Sequence, residues 1–269
     1  MGNAKRKMCW GLMAIVTGAL LVVASGGASA ADPDPMKLLY ECKAACEKIK
    51  DYTAVFSKQE QVKGELKPKE TMEMKFRARP FSVYMLWQNP HKGREVIYHE
   101  GKYNNHVVGH QRVGFLNFSK RTDPTSPEAL EHSPRPITQA GFLNTINVII
   151  EKTELAKKNN EMLISYLGTE VWDNRPVHVV CRSFTWPRPE YPVYIGIFYI
   201  DKEHMVPVKV AGYDWDHQLT GLYTYSTVKL NVGLADKDFD IENEKYDFPK
   251  ELFKDFKLPL WPFGDKKKQ

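Results

Sequence analysis

Met72-Glu73-Met74-Lys75-Phe76-Arg77-Ala78-Arg79 alternates without a break, placing Met72, Met74, Phe76 and Ala78 on one face and Glu73, Lys75, Arg77 and Arg79 on the other. A period of two is the pattern of a strand with one buried face. Working outward, Phe81, Val83, Met85 and Trp87 carry the pattern on until Asn89-Pro90 interrupts it. On the other side, Tyr52 to Val62 runs into the turn Lys63-Gly64-Glu65-Leu66-Lys67-Pro68. Val96 to His99, the turn Glu100-Gly101 and Lys102 to Val108 predict a hairpin, with Val113 to Phe118 as a further strand. Connections this short join only antiparallel neighbours, so the segment predicts a meander.

Two stretches break the strand pattern. From Met36 to Lys50, Leu39, Cys42, Cys46 and Ile49 recur at helical spacing, which turns both cysteines toward the core. Asp123 to Pro136 holds four prolines in fourteen residues, too many for a regular element. From Ile137 to about Lys157 the period is helical again, with Phe142, Ile146, Ile149 and Ile150 on one side. Strands then resume at Met162–Val171, Val177–Phe184, Tyr191–Ile200, Val206–Tyr213 and Leu222–Leu230. Val193 to Ile200 has no polar face, so that strand is covered on both sides or faces an apolar partner or ligand. The predicted class is α+β: one strongly curved antiparallel sheet, an incomplete barrel, with an N-terminal and a central helix on its concave face.

The chain has 269 residues, 42% apolar and 26% charged, which excludes an intrinsically disordered protein. Its first thirty residues read as an address. Lys5, Arg6 and Lys7 precede an apolar run from Met8 to Ala24, and Ala28-Ser29-Ala30 is a small-residue cleavage site, so a signal peptide cleaved after Ala30 is expected. An uncleaved anchor is the alternative, disfavoured because the run is short for a membrane span. That segment carries three cations and no acids, leaving 35 basic against 33 acidic residues, so the net charge of +5 falls to +2. A nucleic-acid partner thereby loses its main support. Residues 31–35 form a short leader, 36–248 one domain, and 249–269 a tail. The tail sets Phe253, Phe256, Leu260, Trp261 and Phe263 beside Lys266-Lys267-Lys268, a composition suited to an anionic membrane surface or an envelope partner, or to packing back on the domain.

Arg79-Pro80, Trp87 three residues before Pro90, and the turn Glu100-Gly101 together resemble periplasmic lipoprotein carriers of the LolA type. In that family a segment like Asp238-Phe239-Asp240-Ile241 ends the sheet. More extensively, Leu39 to Tyr246 resembles the exported bacterial proteins grouped as domain of unknown function 1571, through Gly109-His110-Gln111, Asp123-Pro124 and Arg135-Pro136-Ile137-Thr138 with Gly141. The carrier resemblance implies a half-barrel lidded by helices, with an apolar cavity for acyl chains. It also implies that Arg79 hydrogen-bonds helix carbonyls and gates that cavity.

The expectation is an exported, non-enzymatic binding or carrier protein for a lipid-like or lipoprotein ligand, in the periplasm or otherwise outside the cytoplasm. The alternative is a structural or protein-interaction module of the cell envelope with a filled core. Candidate ligand-binding residues are Arg79, Val83, Tyr84, Met85, Leu86, Trp87, Arg135, Phe142 and Ile146. Parity alone does not decide whether Val83, Met85 and Trp87 or Tyr84 and Leu86 point inward. No cofactor or metal is expected. His99, His106 and His110 lack a recognised ligand spacing, and Asp214, Asp216 and His217 sit in a turn between strands.

Overall fold

The computed structural model describes residues 32–114, 116–131 and 133–249. The expected signal segment and the tail beyond Pro249 lie outside the described residues. Helix α1 (Pro35–Cys46) is started by Asp34, whose Oδ1 accepts from the Met36 amide at 2.7 Å, with Pro35 at the first helical position. It stops short of the expected Lys50 because the Lys50 amide donates instead to Asn231 Oδ1 at 2.8 Å, which aligns the chain for the first strand.

The first run of strands comprises β1 (Asp51–Val62), β2 (Glu65–Leu66), β3 (Glu70–Arg77), β4 (Ser82–Asn89), β5 (Glu95–His99), β6 (Val107–Val113) and β7 (Leu116–Thr122). After helix α2 (Phe142–Lys158) come β8 (Met162–Trp172), β9 (Arg175–Phe184), β10 (Ile195–Asp201), β11 (Pro207–Tyr213) and β12 (Leu219–Leu230). All pair antiparallel in one sheet of order β7-β6-β5-β4-β3-β1-β12-β11-β10-β9-β8, with β2 on β1, and the sheet does not close. The expected class and the two helices on the concave face are therefore observed.

β6 begins at Val107, about five residues later than expected. Tyr103, Asn104 and Asn105 all adopt positive φ (54°, 56° and 57°), so this stretch turns where alternation suggested a strand. The β8–β9 turn lies at Asp173-Asn174, again with positive φ at both residues (50° and 61°), the geometry that matches strand twist in a two-residue hairpin.

The main core joins both helices to the inner face of the sheet. Leu39 and Cys42 of α1 and Phe142 and Ile146 of α2 pack with Tyr52, Met72, Val83, Val180, Phe198 and Tyr225. Tyr52 is stacked between Phe76 (4.8 Å between ring centroids) and Phe142 (4.4 Å), which seats the amino end of α2 on the sheet. Gly141 precedes Phe142 with φ 104°, and a Cβ there would lie 2.6 Å from the Phe76 ring, so only glycine permits this approach. Cys42 and Cys46 are buried, Cys181 is half-buried, and all three are free thiols.

A second, smaller core covers the convex face. The segment Asp238–Ile241 adds no strand; its start belongs to a 3-10 turn, Asp236–Phe239, from which residues 234–248 run as a strap over β3 to β6. Phe239 and Ile241 fill the space beside Tyr84, Ile97 and Val108, and Tyr246 stacks on Tyr84 at 4.1 Å. Ion pairs of Arg77 with Asp236 (2.7 Å), Lys75 with Asp238 (2.8 Å) and Lys102 with Asp240 (2.9 Å) tie the strap down.

The strap makes stability acid-sensitive. Burial pushes the Asp238 and Asp240 carboxyls up, but hydrogen bonds from Lys75, Lys102 and backbone amides outweigh it and hold both below the usual range. A carboxyl depressed on folding contributes stability that is present above its unfolded value, near pH 4, and is lost as pH falls through the folded one. The urea midpoint is therefore expected to lose this contribution only below about pH 4, and the Asp238→Asn/Asp240→Asn variant to start lower at pH 7 and to fall less on acidification.

Candidate functional site

A cavity of about 730 Å³ opens between the concave face of the sheet, the amino-terminal half of α2 and the Pro-rich segment 124–141. That volume is within the range of small-molecule sites. Its floor is apolar, from Phe56 on β1, Met74 on β3, Met85 and Trp87 on β4, Val210 on β11 and Tyr225 on β12. Thr145, Val148 and Ile149 of α2 form one wall. The Pro-rich stretch has no long regular element, and it closes the other wall with Pro124, Ala129, Pro136 and Ile137.

The opposite end is polar and internally matched. On β1, Lys58 and Glu60 follow Phe56 on the inward parity, and they are paired at 2.8 Å. Glu60 also accepts from Tyr223 (2.6 Å) and Ser133 (3.0 Å). Glu70 accepts from Trp87 Nε1 at 3.2 Å and lies 3.4 Å from Lys58. Such a network holds the indole of Trp87 and the phenol of Tyr223 in fixed orientations at the cavity wall.

The structure resolves the parity of β4. Met85 and Trp87 face the cavity, and Val83 points the same way but is buried in the core beside it. Tyr84 and Leu86 point to the convex face under the strap, where Tyr84 donates to Glu95 at 2.7 Å, so neither lines the cavity. Arg135 is at the rim with its guanidinium 5.5 Å from the Tyr223 ring centroid. Phe142 and Ile146 are core anchors of α2, 1% and 0% exposed, and do not reach the cavity.

Arg79 does not fill the role the carrier resemblance implied. It is exposed in the β3–β4 turn, because β3 ends at Arg77, and it forms no hydrogen bond or ion pair among the described residues. Bonds to a helix carbonyl come instead from Arg182 on β9, which donates through Nη1 to Ile149 O (3.3 Å) and Thr153 Oγ1 (3.1 Å) of α2. Arg182 is 4% exposed between the rings of Phe184 (4.2 Å) and Phe198 (5.4 Å). Burial pulls its guanidinium down to about 10.

Sequence reasoning also missed Arg94, Glu60, Tyr223 and Tyr225. One signal was available: Lys58 and Glu60 continue the parity of Tyr52, Ala54 and Phe56, and charges on the inward face of a strand mark a polar cavity end. The histidines fall in separate places. His99 bonds Arg77 (3.0 Å) and the Glu100 carbonyl, His106 the Asn104 carbonyl, and His110 Ser119. No group of three or more residues able to hold a metal ion occurs among the described residues. Asp214 Oδ1 accepts from the Asp216 and Gln218 amides, an ordinary turn.

Several solved structures are similar at low identity. The lipoprotein LppX of Mycobacterium tuberculosis is 12% identical over 78% of this chain and 100% of that one, with a TM-score of 0.47. A DUF1329 family protein from Desulfovibrio piger is 12% identical over 77% and 98%, with a TM-score of 0.35. A LolA superfamily protein from Nitrosomonas europaea is 8% identical over 78% and 98%, with a TM-score of 0.28. Among curated proteins, none matches this sequence. Residues 49–248 match the model of the family described as protein of unknown function DUF1571, and the chain belongs to that family.

Proposed function

We propose that the protein is an exported, non-enzymatic binding or carrier protein that holds a lipid-like ligand in the cavity of its half-barrel. The observation behind this reading is a roomy cavity with an apolar floor and a polar end, lying between the sheet and α2. Burying an acyl chain is worth about 0.8 kcal/mol per methylene, so such a floor suffices to hold one without any reacting group. The basic start, apolar run and small-residue site of residues 1–30 support export. No helix among the described residues is long and apolar enough to cross a membrane.

Binding of a fluorescent acyl probe to the purified chain tests the reading. Thr145→Trp, at a half-buried position on the α2 wall, is expected to fill the cavity and cut probe affinity at least about tenfold with unchanged circular dichroism. Absence of saturable binding by the unsubstituted protein would sink the carrier reading.

A second reading, a protein-interaction module, is favoured by the edge strand β8. Leu163, Leu167 and Val171 are 68%, 59% and 73% exposed there, beside backbone with no further strand paired to it among the described residues.

A further inference from the structure

We propose that the cavity takes an anionic amphiphile, with the acyl chain on the apolar floor and the negatively charged head group held by Arg94 and Arg135. This deepens the carrier reading and rests on it.

Every carboxylate at the cavity lies in an ion pair of this chain, and with Arg94 and Arg135 counted the five cations outnumber the four carboxylates by one. Glu60 and Glu70 share Lys58, Glu128 pairs with Lys120, and Glu131 lies 3.6 Å from Lys63. Arg94 and Arg135 line the same cavity and form no ion pair among the described residues. Arg94 donates through Nε to Gln111 Oε1 at 2.9 Å, and its guanidinium lies 5.7 Å from the Trp87 ring centroid. Arg135 lies over Tyr223. An aromatic ring under a guanidinium fixes its plane and leaves N–H groups available for a bidentate anion. Burial pulls the Arg94 guanidinium down, with Glu70 opposing, so a partly desolvated cation gains more from an anion than one in water.

A third positive feature borders the same space. The amino end of α2 begins at Gly141 with no side-chain cap and no acid in its first turn. Its unmatched amide dipoles add to the field of the two arginines.

Isothermal titration calorimetry of the full chain, below micelle formation, separates the possibilities. Dodecyl phosphate and monolauroylglycerol offer similar chains with anionic and neutral heads, and inorganic phosphate offers the head alone. The expected result is that dodecyl phosphate binds about tenfold or more tighter than monolauroylglycerol, while inorganic phosphate shows no comparable binding. Arg94→Gln/Arg135→Gln is expected to remove that preference, so that dodecyl phosphate binds no tighter than monolauroylglycerol measured on the same variant. Should Arg94→Gln disturb the fold, raising salt from about 0.02 M to about 0.5 M on the unsubstituted chain is expected to weaken only dodecyl phosphate. Equal affinity for both amphiphiles, or a preference that survives the double substitution, overturns the head-group assignment and leaves the carrier reading standing. Phosphate binding as tightly as dodecyl phosphate overturns the amphiphile, and no binding of either amphiphile overturns the carrier reading itself.

Discussion

Replacing Phe142 by alanine is expected to lower the unfolding free energy by about 3–5 kcal/mol, read as a fall in the urea midpoint. Phe142 is 1% exposed, stacks on Tyr52 at 4.4 Å and meets Tyr225 in a tilted contact at 4.6 Å. Truncation removes a ring from a close-packed aromatic cluster whose neighbours are fixed by β1, β3 and β12, so the gap cannot collapse fully. The same ring seats the start of α2, and the next turns of that helix carry Thr145, Val148 and Ile149 of the cavity wall. Probe binding should therefore weaken with stability. Arg135→Ala at the exposed rim is the control, expected within about 0.5 kcal/mol of the unsubstituted protein. A Phe142→Ala loss of similar size would show that the residue is not the anchor described.

Arg182→Ala is expected to cost about 3 kcal/mol, and Arg182→Met less than about 1 kcal/mol, in the same denaturation experiment. Among the described residues Arg182 has no carboxylate partner and its Nε no hydrogen-bond partner, and burial already disfavours its charged form. What it contributes is volume between Phe184 and Phe198 and two bonds to α2. Methionine keeps most of the volume and removes the buried charge. The Ile149 carbonyl is not orphaned, because Thr153 Oγ1 donates to it at 2.6 Å. If Arg182→Met is as damaging as Arg182→Ala, the bonds to α2 carry the stability and the packing does not.

Local pattern made most of the sheet legible. In β3, Met72, Met74 and Phe76 are buried and Glu73 is exposed, as alternation predicts. It failed in two places: Tyr103 to Asn105 turn because asparagine tolerates positive φ, and Asp238–Ile241 packs as a strap because Phe239 and Ile241 find an apolar surface on the convex side. The candidate site was less visible. Met85 and Trp87 were within reach, and Arg94 lies in the short connection between β4 and β5, but their partners Tyr223 and Tyr225 come from β12, far from β4 in the chain, and no short-range spacing relates them.

For this protein, then, the amino-acid sequence alone determines the antiparallel strands, the two amphipathic helices and the membership of one domain family, because periodicity and turn chemistry act over a few residues. Tertiary structure decided which face of β4 looks inward, that Arg182 and not Arg79 meets α2, and that the Pro-rich segment walls a cavity. Those outcomes depend on how a twisted sheet curls and brings β1, β4 and β12 against one helix, a long-range property that no local pattern encodes.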